Sequence, residues 1–301
     1  MVGVIAAVGV WIWTEILRGF DVSDDPRVQR DEPGEAASTA GSRLVFVRAA
    51  RLLVMGAAVW GIQGLLGAYE LAALLLGILA VQLAMGRDCP GWDALSRHGG
   101  AHAARNLALG FVLGAAAVLA VVAVGALAGL VSVRVGHPGL VGLGMGLVVA
   151  ILTAARSELL FRAAPLGLAK GLAREQHVLV FTVLLTIAST LWQATFVGVV
   201  MSAALAWVLA LAWHLGKGMG LALGLHAGTL FMLGPGIRGS LLDVSLGQGQ
   251  LLPMQHGVGA IGWVAVGVFT ALGMALAGLS VRGRRGEPRP QAPVSTDAVK
   301  D

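Results

Sequence analysis

Long apolar stretches that carry almost no charge are the feature that most limits what this chain can fold into. Hydrophobic residues make up 57% of the sequence and charged residues only 12%, whereas soluble domains carry roughly 25% charged residues. An α-helix needs about 20 apolar residues to cross the hydrocarbon core of a bilayer. The sequence therefore predicts a polytopic all-α membrane protein, a helical bundle in contact with the lipid bilayer and without a sizeable soluble domain.

The apolar pattern predicts about nine transmembrane helices. They cover residues 1–17, 49–67, 71–86, 106–131, 140–164, 178–200, 201–216, 219–235 and 258–280. The first stretch has no positive residue before it, and Arg18 follows it, which favours an uncleaved anchor over a signal peptide. Among the nine predicted spans, the boundaries are least marked at the hairpin near residues 67–70 and at the break near Met201.

Basic residues gather on one side of this layout. If the N-terminus lies outside, one side carries most of the lysines and arginines, among them Arg18, Arg43, Arg87, Lys170, Lys217 and the cluster from Arg282 to Lys300. The other side carries Arg134 and Arg238 alone. Such an asymmetry follows the positive-inside rule. The sequence thus predicts a bacterial-type inner-membrane protein with a cytoplasmic C-terminus, and the net charge of +5 reflects topology and not nucleic-acid binding.

Two polar segments separate from the apolar stretches. Residues 19–42 are acidic and hold proline and glycine, which predicts a solvated cytoplasmic loop within an N-terminal region of transmembrane helices, residues 1–139. Residues 282–301 are rich in arginine and proline and are predicted to form a disordered basic tail. Before that tail, residues 236–281 are predicted to form a loop and a final transmembrane helix. Cys89, the single cysteine, excludes an intramolecular disulfide.

Ionisable residues inside apolar helices are costly, so they are the first candidates for function. Glu158 and Arg162 end the fifth predicted span and are four residues apart. This spacing places them on one helical face within ion-pairing reach. The pair is interpreted either as a structural ion pair that shares the cost of burial or as a general base oriented by its arginine.

His226 lies on a helix with a stripe of glycines. The stripe repeats every four residues and consists of Gly216, Gly220, Gly224 and Gly228. Small residues at this spacing predict close packing against another helix. Because His226 is two residues from Gly224, it lies about 200° round the helix and should point away from the stripe. It is interpreted either as a hydrogen-bonded core histidine or as part of an interior site.

Three stretches resemble the motifs of the CPBP intramembrane proteases, the CAAX protease and bacteriocin-processing family also called Abi. The stretch from Ser157 to Arg162 resembles "EELLFR" with serine at the first glutamate. Residues 188–196 resemble "SSLLFGLLH", with Trp192 at the phenylalanine and Phe196 at the histidine. Residues 226–231 resemble "HAGWNF", with Leu230 at the asparagine. The resemblance covers about residues 140–235 and implies a CPBP-like core there.

The resemblance implies a peptidase site from which parts are missing. In that family the first glutamate and the second-motif histidine activate the attacking water, and the third-motif histidine and asparagine stabilise the oxyanion. Glu158, Arg162 and His226 carry over as catalytic candidates, whereas Phe196 and Leu230 can neither move a proton nor donate a hydrogen bond. Removing one oxyanion donor costs about 2.7–4 kcal/mol. Whether the chain is an enzyme, and whether His214 replaces the missing histidine, stays open.

Three functions remain compatible with these residues. The first is a CPBP-family protein with lost or altered peptidase activity that acts in membrane-protein processing, as a scaffold or a regulator. The second is an active intramembrane endopeptidase that uses Glu158 and His226 on a membrane-embedded peptide or protein. The third is a small transporter or channel, against which the absence of repeated halves counts. No cofactor or metal is expected, since one glutamate and one histidine fall short of the three protein ligands usual for catalytic zinc.

Overall fold

Eight helices and a small β-sheet form the described part of the chain, which in this computed structural model comprises residues 34–86, 100–137, 139–169, 174–190, 195–238, 240–246 and 259–285. The first helices are α1 (Gly34–Leu65), α2 (Glu70–Met85), α3 (Gly100–Leu127) and α4 (Leu140–Leu168). The later helices are α5 (Glu175–Thr190), α6 (Phe196–Leu215), α7 (Met219–Gly236) and α8 (Ala260–Arg285). Strands β1 (Val131–Val135) and β2 (Leu242–Leu246) lie between them.

Six of the described helices are long and apolar enough to cross a membrane. They are α1 in its stretch Phe46–Leu65, and α3, α4, α6, α7 and α8. Helices α2 and α5 are also apolar but have 16 residues each. Large apolar side chains such as Leu83, Val112 and Val180 are exposed on the bundle surface, as expected of a surface in contact with lipid. The prediction of a mostly helical membrane protein is supported to this extent; predicted span 1–17 lies outside the described residues.

Contacts between helix ends show that the helices alternate in direction. Arg48 Nη1, early in the apolar part of α1, donates to the carbonyl of Leu168 at the end of α4, at 2.7 Å. Asn106 Nδ2, near the start of α3, donates to the carbonyl of Gly216 after α6, at 3.4 Å. We call this end, where α4 and α6 finish, the basic end, and the opposite end, which carries β1 and β2, the sheet end. Strands β1 and β2 pair just after α3 and α7, Glu175 at the start of α5 approaches the end of α6, and Phe196 and Trp263 join the starts of α6 and α8. Each helix from α3 to α8 therefore runs opposite to the one before it.

The two strands correct the prediction of an all-α fold. Helix α3 stops at Leu127, and Gly129 adopts a left-handed φ of 68°, a conformation that glycine adopts without steric penalty. The next residues, Val-Ser-Val-Arg-Val, alternate β-branched and polar side chains, which is typical of a strand. Strand β1 pairs antiparallel with β2. The predicted helix to residue 131 was therefore wrong at its end.

The register of this sheet gives a direct test of the alternating topology. Ser132 lies opposite Ser245, with the two Oγ atoms 2.7 Å apart. Directly paired residues of antiparallel strands have Cα atoms about 4.5–5.5 Å apart, within the range for a disulfide. We expect Ser132→Cys with Ser245→Cys, in a Cys89→Ser background, to form a disulfide in nearly all molecules, measured as loss of maleimide labelling after mild oxidation.

The matched control pairs Ser132→Cys with Asp243→Cys. Asp243 lies on the same face of β2 as Ser245 but two residues away, so the separation of its Cα from that of Ser132 is about 7–8 Å. This pair should keep most of its free thiol. Equal oxidation of both pairs would contradict the register and would indicate that the strands slide.

The predicted break near Met201 was wrong, because α6 continues through it from Phe196 to Leu215. Among the described residues, α5 ends at Thr190 and α6 begins at Phe196. Thr195 has an extended backbone and its Oγ1 accepts a hydrogen bond from the Gly198 amide at 3.3 Å, which caps the new helix. The polar residues Ser189, Thr190, Gln193 and Thr195 were the sequence signal of this boundary.

Two predicted polar segments are shorter than expected. Helix α1 begins at Gly34, so residues 34–42 of the predicted loop 19–42 are helical. Their alanines and the glutamate favour a helix continuous with the apolar stretch that follows. Helix α8 reaches Arg285, so the predicted disordered tail overlaps it at residues 282–285. The remainder of both segments lies outside the described residues.

Helices α3 and α7 pack with their backbones in contact. A Cβ at Gly110 or Gly114 of α3 would overlap backbone atoms of α7, and a Cβ at Gly224 or Gly228 of α7 would overlap backbone atoms of α3. This reciprocal arrangement is the small-xxx-small packing of membrane helices. It confirms the predicted close packing of the stripe at Gly224 and Gly228. The partner helix was not predicted, although Gly110 and Gly114 show the same spacing.

Candidate functional site

A π-helical turn follows directly after Glu158 in α4. Its residues are Leu159–Ala163, and the amide of Ala164 bonds to the carbonyl of Leu159. Pro165 comes two residues after this turn and has no amide hydrogen with which to continue the α-helical pattern. Such π-turns are rare and frequently occur at functional sites. The local sequence therefore widens α4 at the point where it carries its ionisable residues.

Glu158 and Arg162 form the ion pair that their spacing predicted. Arg162 Nη1 donates to Glu158 Oε1 at 2.7 Å. Glu158 is 0% exposed and Arg162 is also buried. Arg162 Nη2 reaches the carbonyl of Ala206 on α6, at 3.5 Å. Burial of two ions needs close pairing and further hydrogen bonds to offset the loss of hydration. This geometry supplies the close pairing and part of the hydrogen bonding.

His226 completes a cluster of three with this pair. It points away from the α3 contact, as predicted, and its Nδ1 lies 2.9 Å from Glu158 Oε1. If Nδ1 donates its proton to the carboxylate, Nε2 is the ring atom left for another partner. His226 is 14% exposed at its side chain. We call Glu158, Arg162 and His226 the charge cluster; it joins α4, α6 and α7.

Two atoms of the charge cluster are unsatisfied within the described part of the chain. Glu158 Oε2 and Arg162 Nε are buried there and have no hydrogen-bond partner. Buried polar atoms are nearly always paired with protein or with ordered water. The cluster therefore has one acceptor and one donor to offer to a molecule that reaches it.

The charge cluster lies inside the bundle and nearer the basic end. Glu158 is ten residues from the last residue of α4, and His226 is seven residues from the first residue of α7. At 1.5 Å per residue these separations are about 15 Å and about 10 Å along the helices. A ligand or substrate segment would have to enter the bundle by at least this depth.

Phe196 is not part of this cluster. It is 74% exposed at the sheet end, where its ring lies 6.3 Å from that of Trp263. It begins α6, ten residues from Ala206, or about 15 Å along the helix. The alignment that placed Phe196 at the position of a catalytic histidine is therefore wrong in its geometry. Its exposed ring suits the aromatic belt at a membrane interface.

The other residues singled out from the sequence lie at varied distances from the charge cluster. Leu230 is one turn beyond His226 and packs against the main apolar core. Ser157 is half-buried beside Glu158. His214 lies at the basic end with its Nδ1 3.9 Å from Glu175 Oε1, about 12 Å along α6 from Ala206, so it does not replace the missing histidine. Trp192 lies outside the described residues.

Sequence reasoning missed a second polar contact on α4. Arg156 Nη1 donates to Gln63 Oε1 of α1, and its side chain lies over Gly77 of α2. Because Arg156 is two residues before Glu158, it faces the opposite side of α4. Helix α4 is thus held by polar contacts on two faces. A glutamine near the end of an apolar stretch was the signal that could have indicated this partner.

The charge cluster offers hydrogen bonding and charge, and no metal cage. Among the residues that the structure describes, no three His, Cys, Asp or Glu side chains converge, so Glu158 and His226 supply two donors at most. Comparisons with protein-family models, with curated proteins and with solved structures found no match to this chain. Its function therefore has to be inferred from the geometry of the cluster.

Proposed function

We propose that this chain is an integral membrane protein with a CPBP-like core in which peptidase chemistry is lost or altered. It acts in membrane-protein processing as a scaffold or regulator that holds a membrane-embedded peptide or protein segment. The observation that carries this proposal is the pairing of Glu158 inside the bundle. Its Oε1 atom already interacts with Arg162 and His226, and the residue is fully buried.

This geometry favours a structural role over general-base catalysis. A general base must reach the proton that it removes, either directly or through one water molecule. Glu158 Oε1 is occupied by two partners, so only Oε2 could accept a proton from a water molecule. Leu230 offers no hydrogen bond to an oxyanion, and Phe196 lies at the other end of α6. The charge cluster instead joins three helices and keeps α4 and α7 in register.

The proposed orientation places the basic end in the cytoplasm and the sheet end outside. Arg174 and Lys217 lie in the connections at the basic end, and Arg134 and Arg238 lie at the sheet end. The positive-inside rule, counted over the whole sequence, supports this orientation, with the N-terminus outside and the C-terminus cytoplasmic. The bilayer is a bacterial-type inner membrane.

The proposal predicts a specific result for turnover. We expect the purified protein, reconstituted with prenylated CAAX peptides and transmembrane peptides that carry a fluorogenic bond, to cleave no faster than its His226→Ala variant. The same peptides carrying a photoreactive group should nevertheless cross-link to the protein. His214→Ala is the matched control, since that histidine lies outside the charge cluster. Cleavage more than tenfold above His226→Ala and retained in His214→Ala would contradict the proposal.

An active intramembrane endopeptidase is the second candidate, and one contact favours it. The carboxylate of Glu158 and Nδ1 of His226 are 2.9 Å apart, an arrangement that orients an imidazole for acid–base work. In this candidate, His226 Nε2 would exchange a proton with the substrate or with water, and Glu158 would orient the imidazole ring. The cleavage result just described, lost in His226→Ala, would establish this candidate in place of the first.

A further inference from the structure

A row of hydroxyl side chains follows one face of α5. It consists of Thr182, Thr186, Ser189 and Thr190. Thr186 lies four residues after Thr182, three before Ser189 and four before Thr190, which places the four on one side of the helix. Each hydroxyl donates to a carbonyl of its own helix, at 2.7 or 2.8 Å. A hydroxyl oxygen keeps acceptor capacity after donating its proton. We call these four residues the hydroxyl row.

The hydroxyl row faces the interior of the bundle. Val178, Leu179 and Thr182 share its face of α5 and are buried, Thr182 to 0% exposure. Val180 and Leu184, on the opposite face, are 58% and 41% exposed. Thr186 and Thr190 are only half-buried although they point inward. The row therefore passes from half-buried hydroxyls near the sheet end to a fully buried hydroxyl at Thr182.

The inner end of the hydroxyl row is level with the charge cluster. Helix α5 starts at the basic end, where Glu175 approaches His214, and Thr182 is seven residues into the helix, about 10 Å. Glu158 is about 15 Å from the same end along α4. The two helices meet here, because α5 packs against the π-turn of α4 and Leu179 shares an apolar cluster with Leu159 and Ala163.

The unsatisfied atoms of the charge cluster indicate which ligand the hydroxyl row would bind. Glu158 Oε2 needs a donor and Arg162 Nε needs an acceptor, and a water molecule supplies both. We propose that a file of water molecules enters at the sheet end, follows the hydroxyl row and ends between Glu158 and Arg162. The occupant is water, held by neutral hydroxyls along the row and by opposite charges at its inner end. This inference does not depend on the proposed function.

Cysteine accessibility tests the water file and its direction. In a Cys89→Ser background, Thr190→Cys, Thr186→Cys and Thr182→Cys are treated with silver ion, which is small and charged and moves with water. Protection from a later maleimide label measures the reaction. We expect Thr190→Cys and Thr186→Cys to react at least tenfold faster than Leu184→Cys, which lies on the opposite, lipid-exposed face of α5. Thr182→Cys should react more slowly than Thr186→Cys and still faster than Leu184→Cys.

Two reporters define the side from which silver enters. Ser132→Cys marks the sheet end and Lys217→Cys marks the basic end. In intact cells and in inverted vesicles, the row should react from the side of Ser132→Cys. Reaction from the side of Lys217→Cys, or rates equal to that of Leu184→Cys, would overturn the proposal. An inert Thr182→Cys beside a reactive Thr186→Cys would also overturn it, because the file would then stop short of the charge cluster.

Discussion

Replacement of Glu158 by glutamine is expected to lower the free energy of unfolding by about 3–5 kcal/mol, the usual cost of breaking a buried ion pair from one side. The glutamine keeps the shape of the side chain but leaves the Arg162 guanidinium, which is buried, without an opposite charge. The measurement is a thermal or denaturant unfolding titration of the detergent-solubilised protein. The expected result is a large fall in the midpoint of the unfolding transition.

A double variant separates lost charge pairing from lost packing. Glu158→Leu combined with Arg162→Met removes both ions and keeps apolar volume, so it should recover most of the stability, since such replacements are often neutral or stabilising. Glu175→Gln is the surface control, because its pairing with His214 is long and solvent-exposed and should be worth no more than about 1 kcal/mol. A loss below 1 kcal/mol in Glu158→Gln would show that the pair is not buried as described.

Substitution of Gly224 by alanine is the second large effect that we expect. The added Cβ would overlap the backbone carbonyl of Leu107 on α3. A side chain could rotate out of the way, but a helix backbone cannot. Overpacking of this kind costs about 1–3 kcal/mol and occasionally more. Separation of α3 from α7 should also change the position of His226. The measurement is the same unfolding titration, with Gly114→Ala as the equivalent change on the opposite helix.

Gly144→Ala provides the matched control for both glycine variants. Nothing lies within 4 Å of a Cβ at Gly144 on α4, so alanine gains helix propensity there, about 0.5–1 kcal/mol relative to glycine. The free energy of unfolding should therefore fall in Gly224→Ala and Gly114→Ala and rise in Gly144→Ala. If Gly224→Ala is as stable as Gly144→Ala, the close approach of α3 and α7 is wrong.

The residue pattern predicted the members of the charge cluster more accurately than it predicted the residues around the cluster. The spacing of Glu158 and Arg162 is a local property of one helix, so the sequence was sufficient to predict their contact. The direction of His226 followed from the glycines two residues on either side of it. Its contact with Glu158 joins positions 68 residues apart, and no local pattern contains such a pairing.

The errors have a common physical origin in the uniform hydropathy of the chain. The boundary between α5 and α6 carries Ser189, Thr190, Gln193 and Thr195, but apolar residues on both sides placed these polar residues within one predicted span, 178–200. The motif alignment placed Phe196 by its distance along the sequence, whereas this boundary starts a new helix there and carries the residue to the sheet end. The short β-sheet depends on pairing between segments 113 residues apart at Ser132 and Ser245.

The glycine contact between α3 and α7 has a consequence for how this chain can be divided. All three members of the charge cluster lie within residues 140–235, yet the rotation of α7 about its axis is fixed by Gly110 and Gly114, which lie before that region. A fragment limited to the motif-bearing residues would lose the surface that orients His226. Excised or grafted versions of this site therefore need α3 as well, and the smallest autonomous unit begins no later than Gly100.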